Sequence, residues 1–527
     1  MVKRIEHVIP ALLVVLVVLP IYFFRLDRVV GMVVDDAWYV LLGRALAEGR
    51  GYEMINAPLA GILPGYPPGF PALLSLVFRL SPEFPGNVWM LKSVSIVAML
   101  AVALLSYSYL NRLRGLPRHL AALAALGVAS TPAFVFLATS TVMSECVFTL
   151  AQLAAVIVAH RAIERPSERG WGLAAGAGLL GAATVLIRSV GVGAVAAVFL
   201  CFVKERQWKR ASAFAIVVTL FVGPWLLYTR AHAPTVEHQQ IHRGSLVYGY
   251  GEQFWMRWAG SATSGRVTAA DLPARIVTNL VDIFGRSVGG IFAPVLLRPP
   301  EESGEEVVSL AGRVSWTFVG IGGLPANMAV SLLLSAVVLW GFVRTARERV
   351  TVAEVLIPVS LVITVLWPFW SFRFVLPLTP FLYLYFVNGL TWLPTLPVAR
   401  IALLTAIGLN LYDHAGYVGT LRSEPQRIDW LTKYNELETS LDWMKAHLEK
   451  DGVVAATNPA LVHLWTGQKT ITLDRVTEPW SVWRERGARY IACLVPHELP
   501  SASRGPYRLL YTSASEEPTG FWIVDIE

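Results

Sequence analysis

Residues 8–24 read VIPALLVVLVVLPIYFF, and a short gap later residues 35–39 read Asp35-Asp36-Ala37-Trp38-Tyr39. The first run approaches the roughly 20 apolar residues that cross about 30 Å of hydrocarbon. Lys3 and Arg4 precede it, and Arg25, Leu26 and Asp27 follow where a signal peptide would carry a small-residue cleavage site. It therefore reads as an uncleaved first span. Two acids and two aromatics then stand just outside the membrane.

The rest of the chain supports lipid as its main solvent. Of 527 residues, 55% are hydrophobic and only 15% charged, against about 25% charged in soluble proteins. Mean hydropathy is +0.53. The net charge of +7 is spread over short basic clusters between apolar runs, with no basic face interleaved with stacking aromatics. That pattern belongs to cytoplasmic membrane loops and argues against nucleic acid as a partner. Cys146, Cys201 and Cys493 have no disulfide or metal spacing.

About eleven transmembrane helices are expected, near 7–24, 88–110, 119–139, 146–160, 171–187, 190–203, 210–229, 325–343, 351–368, 374–392 and 400–417. Sidedness tests this series. Lys3 and Arg4, then Arg112, Arg114 and Arg118, then Arg161, Arg165 and Arg169 fall in alternate gaps. So do Lys204, Arg206, Lys209 and Arg210, then Arg344, Arg347 and Arg349, then Arg400. Basic gaps belong inside. The expected topology is a cytoplasmic N-terminus in a bacterial inner membrane, with large external loops at about 25–87 and 230–324.

Residues 1–417 thus form a polytopic α-helical membrane module, and 418–527 a small extracytoplasmic α/β domain. Ile428, Leu431, Leu437, Leu441, Met444 and Leu448 fit one helix of the tail. Strand-like runs at 453–455, 470–473, 490–495, 507–511 and 521–524, with helical stretches at 459–466 and 478–485, predict an alternating fold finished by a hairpin. In the external loops, Leu41, Leu42, Ala45 and Leu46 form one helical stripe, and Ile276, Val277, Leu280, Val281 and Phe284 another. Both are expected to lie in the membrane interface.

Asp35 and Asp36 have a structural reading as helix caps, because Asp suits a helix start. One acid suffices for that; two, beside Trp38 and Tyr39 at a membrane surface, point to a site. Gly65-Tyr66-Pro67-Pro68-Gly69 is a rigid extended turn that shapes a site rather than reacting in it. Glu145, Arg188 and Arg373 stand at the outer ends of spans, on the side of Asp35. An ion pair or snorkelling accounts for them structurally. A cavity binding an anionic head group accounts for them functionally, since the planar fork of Arg donates paired hydrogen bonds to phosphate. His238 and His242, four apart beside Glu237, share a helical face, but no third metal ligand follows from the sequence. Tyr248, Tyr250, Phe254, Trp255 and Trp258 either mark the interface or stack on a sugar or lipid.

These residues resemble the GT-C glycosyltransferases, particularly the protein O-mannosyltransferases and lipid A aminoarabinose transferases. The resemblance rests on Asp35-Asp36-Ala37-Trp38-Tyr39, Tyr66-Pro67-Pro68-Gly69, Ser144-Glu145 and Arg373-Phe374-Val375-Leu376-Pro377-Leu378-Thr379-Pro380. Tyr66 stands where family members often carry His or Lys, and Asp36 where Glu is frequent. The resemblance implies an inverting transfer of a sugar from a polyprenyl-phosphate carrier to a hydroxyl of a glycan, lipid or protein acceptor outside the membrane. It implies Asp35 as catalytic base with Asp36 beside it. Arg373 and Arg188 would hold the donor phosphate, with Tyr39, Tyr66, Pro67, Pro68 and Glu145 in support.

No cofactor is expected, and no nucleotide-binding Gly-rich fingerprint occurs. A metal-dependent oligosaccharyltransferase-type reading would draw on Glu145 with Asp36, His238 or His242. A flippase or transporter would show repeated halves and polar residues at mid-membrane. A non-enzymatic envelope protein would work through its tail alone.

Overall fold

The computed structural model describes residues 2–526 apart from 60, 166–168, 242–246, 261–263, 298–325, 392–396 and 514–518. The later part of the loop expected at about 230–324 and His242 thus lie outside the described residues. The first apolar run is helix α1, Val2–Arg25. Val14, Val18 and Tyr22 recur every fourth residue and are buried, while Leu12, Leu13, Leu16 and Phe23 are exposed. An apolar face turned outward is what a lipid-facing helix presents.

Helices α2 (Asp35–Ala47) and α3 (Gly69–Leu80) follow in the first loop. Next come α4 (Val88–Ser108), α5 (Arg118–Ala129), α6 (Pro132–Thr139) and α7 (Glu145–Glu164). The series continues with α8 (Arg169–Ile187), α9 (Val192–Lys204) and α10 (Trp208–Ala231). Among the described residues five helices are long and apolar enough to cross a membrane: Val88–Leu113, Glu145–Glu164, Gly170–Ile187, Trp208–Ala231 and Asn327–Glu348. A sixth follows if α5 and α6, bent by 48° at their junction, form one crossing. The other expected runs are helical but shorter or less apolar.

The α5–α6 break shows how the fold satisfies backbone groups freed by a bend. Tyr22 Oη donates to Ala129 O at 2.8 Å, and His414 Nε2 donates to Ser130 O at 2.8 Å. Carbonyls freed by the bend thus find partners on neighbouring helices, as burial demands.

The second long connecting segment holds α11 (Val236–Ile241), α12 (Tyr250–Phe254), α13 (Leu272–Asp282) and α14 (Val288–Phe292). Helix α15 (Ala326–Glu348) returns, followed by α16 (Val352–Leu366), α17 (Ser371–Val375), α18 (Thr379–Leu390) and α19 (Val398–Ser423). The two expected interfacial stripes behave differently. Leu41, Leu42 and Ala45 are fully buried, because α2 is covered by α3 and by the C-terminal part of the chain. Their stripe is therefore a core face rather than an interfacial one. On α13, Val277, Leu280 and Val281 remain exposed.

After α20 (Asp429–His447) come β1 (Val454–Ala456), α21 (Pro459–Thr466), β2 (Thr470–Thr472), α22 (Trp480–Glu485), β3 (Tyr490–Glu498), β4 (Arg508–Thr512) and β5 (Thr519–Asp525). The sheet order is β2-β1-β3-β5-β4. β1 pairs in parallel with β2 and β3, and β5 pairs antiparallel with β3 and β4. Alternate residues serve two cores. Ala455, Ile491, Trp522 and Val524 pack with Trp480 and Trp483. Val454, Ala456, Ala492 and Ile523 join the main core with Leu441, Met444 and Leu461. This sheet is seated on the first loop: Thr470 N donates to Asn56 O at 2.8 Å, and Arg28 pairs with Glu438 at 2.7 Å.

Candidate active site

The site begins at a strained turn. Asp35 N donates to Val33 O at 2.7 Å across Val34, whose φ is 64° and ψ −55°. This is the rare, strained form of γ-turn, and a β-branched residue at positive φ is a true outlier. Val34 is also the N-cap of α2, and its side chain caps nothing. Asp35 and Asp36 are accordingly the first residues inside the helix rather than its cap, near the positive end of its dipole.

The two acids then part. Asp35 lines a cavity of about 780 Å³. It accepts from Tyr66 Oη at 2.7 Å on one oxygen and from Arg373 Nη1 at 2.9 Å on the other. Asp36 is fully buried and does not reach the cavity. It accepts from Gly31 N at 2.7 Å and Ala37 N at 3.0 Å. Burial pushes its carboxyl up to about 6, against the pull of those two N–H groups.

Arg373, on α17, is held from three atoms. Its Nε and Nη2 donate to Glu145 Oε1 at 2.9 and 2.8 Å, and its Nη1 to Asp35. Arg188, at the end of α8, pairs with the same Glu145 oxygen at 2.8 Å and donates to Ser144 Oγ at 3.2 Å, both from Nη1. Its Nε and Nη2 have no partner among the described residues. Glu145 opens α7 at 0% exposure and holds two guanidiniums side by side, both lining the cavity. Two acids and two bases thus balance in a half-enclosed space.

The supporting residues surround this quartet. Ser144 Oγ donates to Tyr39 Oη at 3.1 Å, and the Tyr39 ring meets Tyr66 edge-on at 4.9 Å. Burial drives the Tyr39 and Tyr66 phenols above their ordinary range, so Tyr66 keeps the proton it donates to Asp35. Pro67 lines the cavity and Pro68 is the N-cap of α3. A Cβ on Gly69 would lie 2.7 Å from Leu186 O, so the Pro-Pro turn seats α3 tightly against the end of α8 that carries Arg188.

Sequence reasoning left one wall unassembled. Trp258 stacks on Phe369 at 4.9 Å and meets Trp370 at 5.5 Å; with Tyr250 and Trp367 they line the cavity. Trp255 is not in that lining. Arg275 and Asn279 of α13 fix the wall from behind. Arg275 donates to Phe254 O and Met256 O, each at 2.7 Å, and Asn279 to Val365 O and Trp367 O, each at 3.0 Å. Thr457, Thr472 and Asp474 of the C-terminal part complete the lining, and no sequence motif announced them.

His238 is elsewhere. It is buried against Gly61, where an added Cβ would lie 2.0 Å from its ring. Among the described residues no three His, Cys, Asp or Glu side chains stand together to hold a metal. The space between Asp35 and Glu145 is taken by the Arg373 guanidinium.

No family model matches this chain, and no curated protein matches it. Solved structures do. The apo oligosaccharyltransferase of Archaeoglobus fulgidus superposes with a TM-score of 0.56 at 13% identity, over 93% of this chain and 70% of that one. The oligosaccharyltransferase AglB from the same organism, in complex with an inhibitory peptide and a dolichol-phosphate, gives 0.54 at 13% identity, over 93% and 69%. ArnT of Cupriavidus metallidurans, bound to undecaprenyl phosphate, aligns over 97% of both chains at 11% identity, but at 0.45 it falls below the level that fixes a shared fold. At such identities the likeness speaks for architecture alone: this chain shares the fold of the Archaeoglobus fulgidus oligosaccharyltransferase.

Proposed function

We propose that this protein is an inverting glycosyltransferase that moves a sugar from a polyprenyl-phosphate carrier to an acceptor hydroxyl on the extracytoplasmic face of the membrane. One observation carries the reading. A carboxylate, Asp35, and two arginines, Arg373 and Arg188, face one 780 Å³ cavity. In the reaction the acceptor oxygen attacks the anomeric carbon from the side opposite the phosphate. The carbon–oxygen bond to phosphate breaks, its electron pair leaves on the phosphate, and the hydroxyl proton passes to Asp35. Such general-base assistance contributes about 10²–10⁴ in rate. Arg188 offers its unpartnered Nε and Nη2 to the departing phosphate, and Arg373 reinforces it.

The AglB complex with dolichol-phosphate supports a lipid-phosphate ligand for this fold. The aromatic wall of Trp258, Phe369 and Trp370 suits a sugar face or the first isoprene units. In this reading the eleven apolar helices all cross, in a bacterial inner membrane. The N-terminus is cytoplasmic, and residues 418–527 form an external domain over the site. The reading needs no metal, because Arg373 already supplies the cation between Asp35 and Glu145.

The test is sugar transfer from polyprenyl-phosphate donors by purified wild type and Asp35→Asn. A loss of at least about 10²-fold is expected; wild-type turnover in Asp35→Asn would sink the assigned base. Activity is expected to survive chelation, and a loss restored by Mg²⁺ or Mn²⁺ would overturn the metal-free reading.

A further inference from the structure

The strained turn at Val34 must be held by something. Gly31 lies at its start, with φ 88°. Every polar atom of its backbone is engaged. Gly31 N donates to Asp36 Oδ2 at 2.7 Å, while Gly31 O accepts from Val34 N at 3.3 Å and from Asn458 Nδ2 at 2.6 Å. Leu461 packs so closely that a Cβ at Gly31 would lie 2.6 Å from its Cδ2. Asn458 is itself pinned, because its Oδ1 caps α21 by accepting from Leu461 N at 3.3 Å. A helix start in the C-terminal part of the chain thus grips the turn from which Asp35 projects. Such strain persists only where surrounding structure over-determines it.

We infer that Asn458 is a positioning residue for Asp35, acting through Gly31 and the Val34 turn, so that the C-terminal sheet and its helices aim the base without touching the reacting atoms. Asp36 is the second arm of the same clamp. It ties Gly31 N to the first turn of α2, which explains a buried carboxylate that never reaches the cavity. The inference rests on the glycosyltransferase reading for its activity arm alone.

Asn458→Asp is the discriminating variant. It keeps Oδ1 as the α21 cap and removes the donor to Gly31 O. In the full-length protein in detergent, amide exchange followed by mass spectrometry should rise at least tenfold over residues 29–40, with α7 peptides unchanged. With short-chain polyprenyl-phosphate hexose and pentose as donors, kcat should fall at least fivefold. Affinity for polyprenyl phosphate, read by tryptophan fluorescence, should stay within twofold. In a Val34→Gly background, where the turn is already released, Asn458→Asp should lower kcat less than twofold further.

Unchanged exchange overturns the link. Faster exchange with kcat within twofold of wild type overturns the positioning role, as does an affinity loss in place of the kcat loss, or full additivity with Val34→Gly. Should Asn458→Asp not fold, Asn458→Ser, which keeps an N-cap oxygen and is too short to reach Gly31 O, decides. A kcat drop of threefold or more is expected, and wild-type kcat overturns the role. If the wild type releases no polyprenyl phosphate from any donor, the functional reading fails, and the exchange arm still judges the link.

Discussion

At the scale of single residues, adjacent acids receive opposite environments. Asp35 has a donor on each oxygen and an opening to the cavity, whereas Asp36 has two backbone donors and no exposure. The folded-state carboxyl of Asp36 lies at about 6, above its ordinary value of 3.8. The sign follows from linkage: stability from this group is full below the unfolded value and is lost as pH rises through about 6. Asp36→Asn removes that dependence. Melting curves from pH 4 to 7 should show the wild type losing about 2 kcal/mol relative to the variant, and parallel curves would refute it. The pair itself was legible in sequence. The different jobs of the two acids came from the family resemblance alone; the contacts that part them were not legible, because they involve Gly31 and Asn458, and Asn458 is distant in the chain.

At the scale of elements, helix contacts depend on small residues that no hydrophobic periodicity marks. Helices α15 and α18 approach through Gly341 and Gly389. A Cβ on Gly341 would lie 1.8 Å from Tyr385 O, and one on Gly389 would lie 2.2 Å from Val337 O. Backbones approach this closely in membranes only where side chains are absent. Gly341→Ala should therefore force the pair apart and lower stability by roughly 1–3 kcal/mol, read as a lower melting temperature in detergent. A variant as stable as wild type would show that the contact is slack. The apolar runs were readable because lipid demands them. The break between α5 and α6, and the burial of the α2 stripe, depend on partners brought in by other elements.

At the scale of the whole molecule, one charge cluster joins four distant segments. Asp35, Glu145, Arg188 and Arg373 come from α2, the start of α7, the end of α8 and α17. Glu145 at 0% exposure is the hub. Breaking a buried pair by removing one partner strands the other charge, at about 3–5 kcal/mol. Glu145→Gln should thus cost that order of stability, and adding Arg188→Gln should recover part of it by deleting one stranded cation. Thermal unfolding of single and double variants checks this. A double variant no better than the single would mean that the arginines do not depend on Glu145.

The sequence alone determined the main solvent, because the hydrocarbon core admits only long apolar runs. It also placed Asp35, Glu145, Arg188 and Arg373 at or beside the ends of apolar runs, since charge is excluded from the middle. Only the tertiary structure decided which of these charges meet, and that Tyr66 rather than a second acid is the hydrogen-bond partner of Asp35. Only it assembled Trp258 with Phe369 and Trp370, and set Asn458 under the turn that carries Asp35. Patterning against lipid is a local property of the chain, whereas ion pairs, aromatic walls and a gripped turn arise when segments hundreds of residues apart close on one cavity.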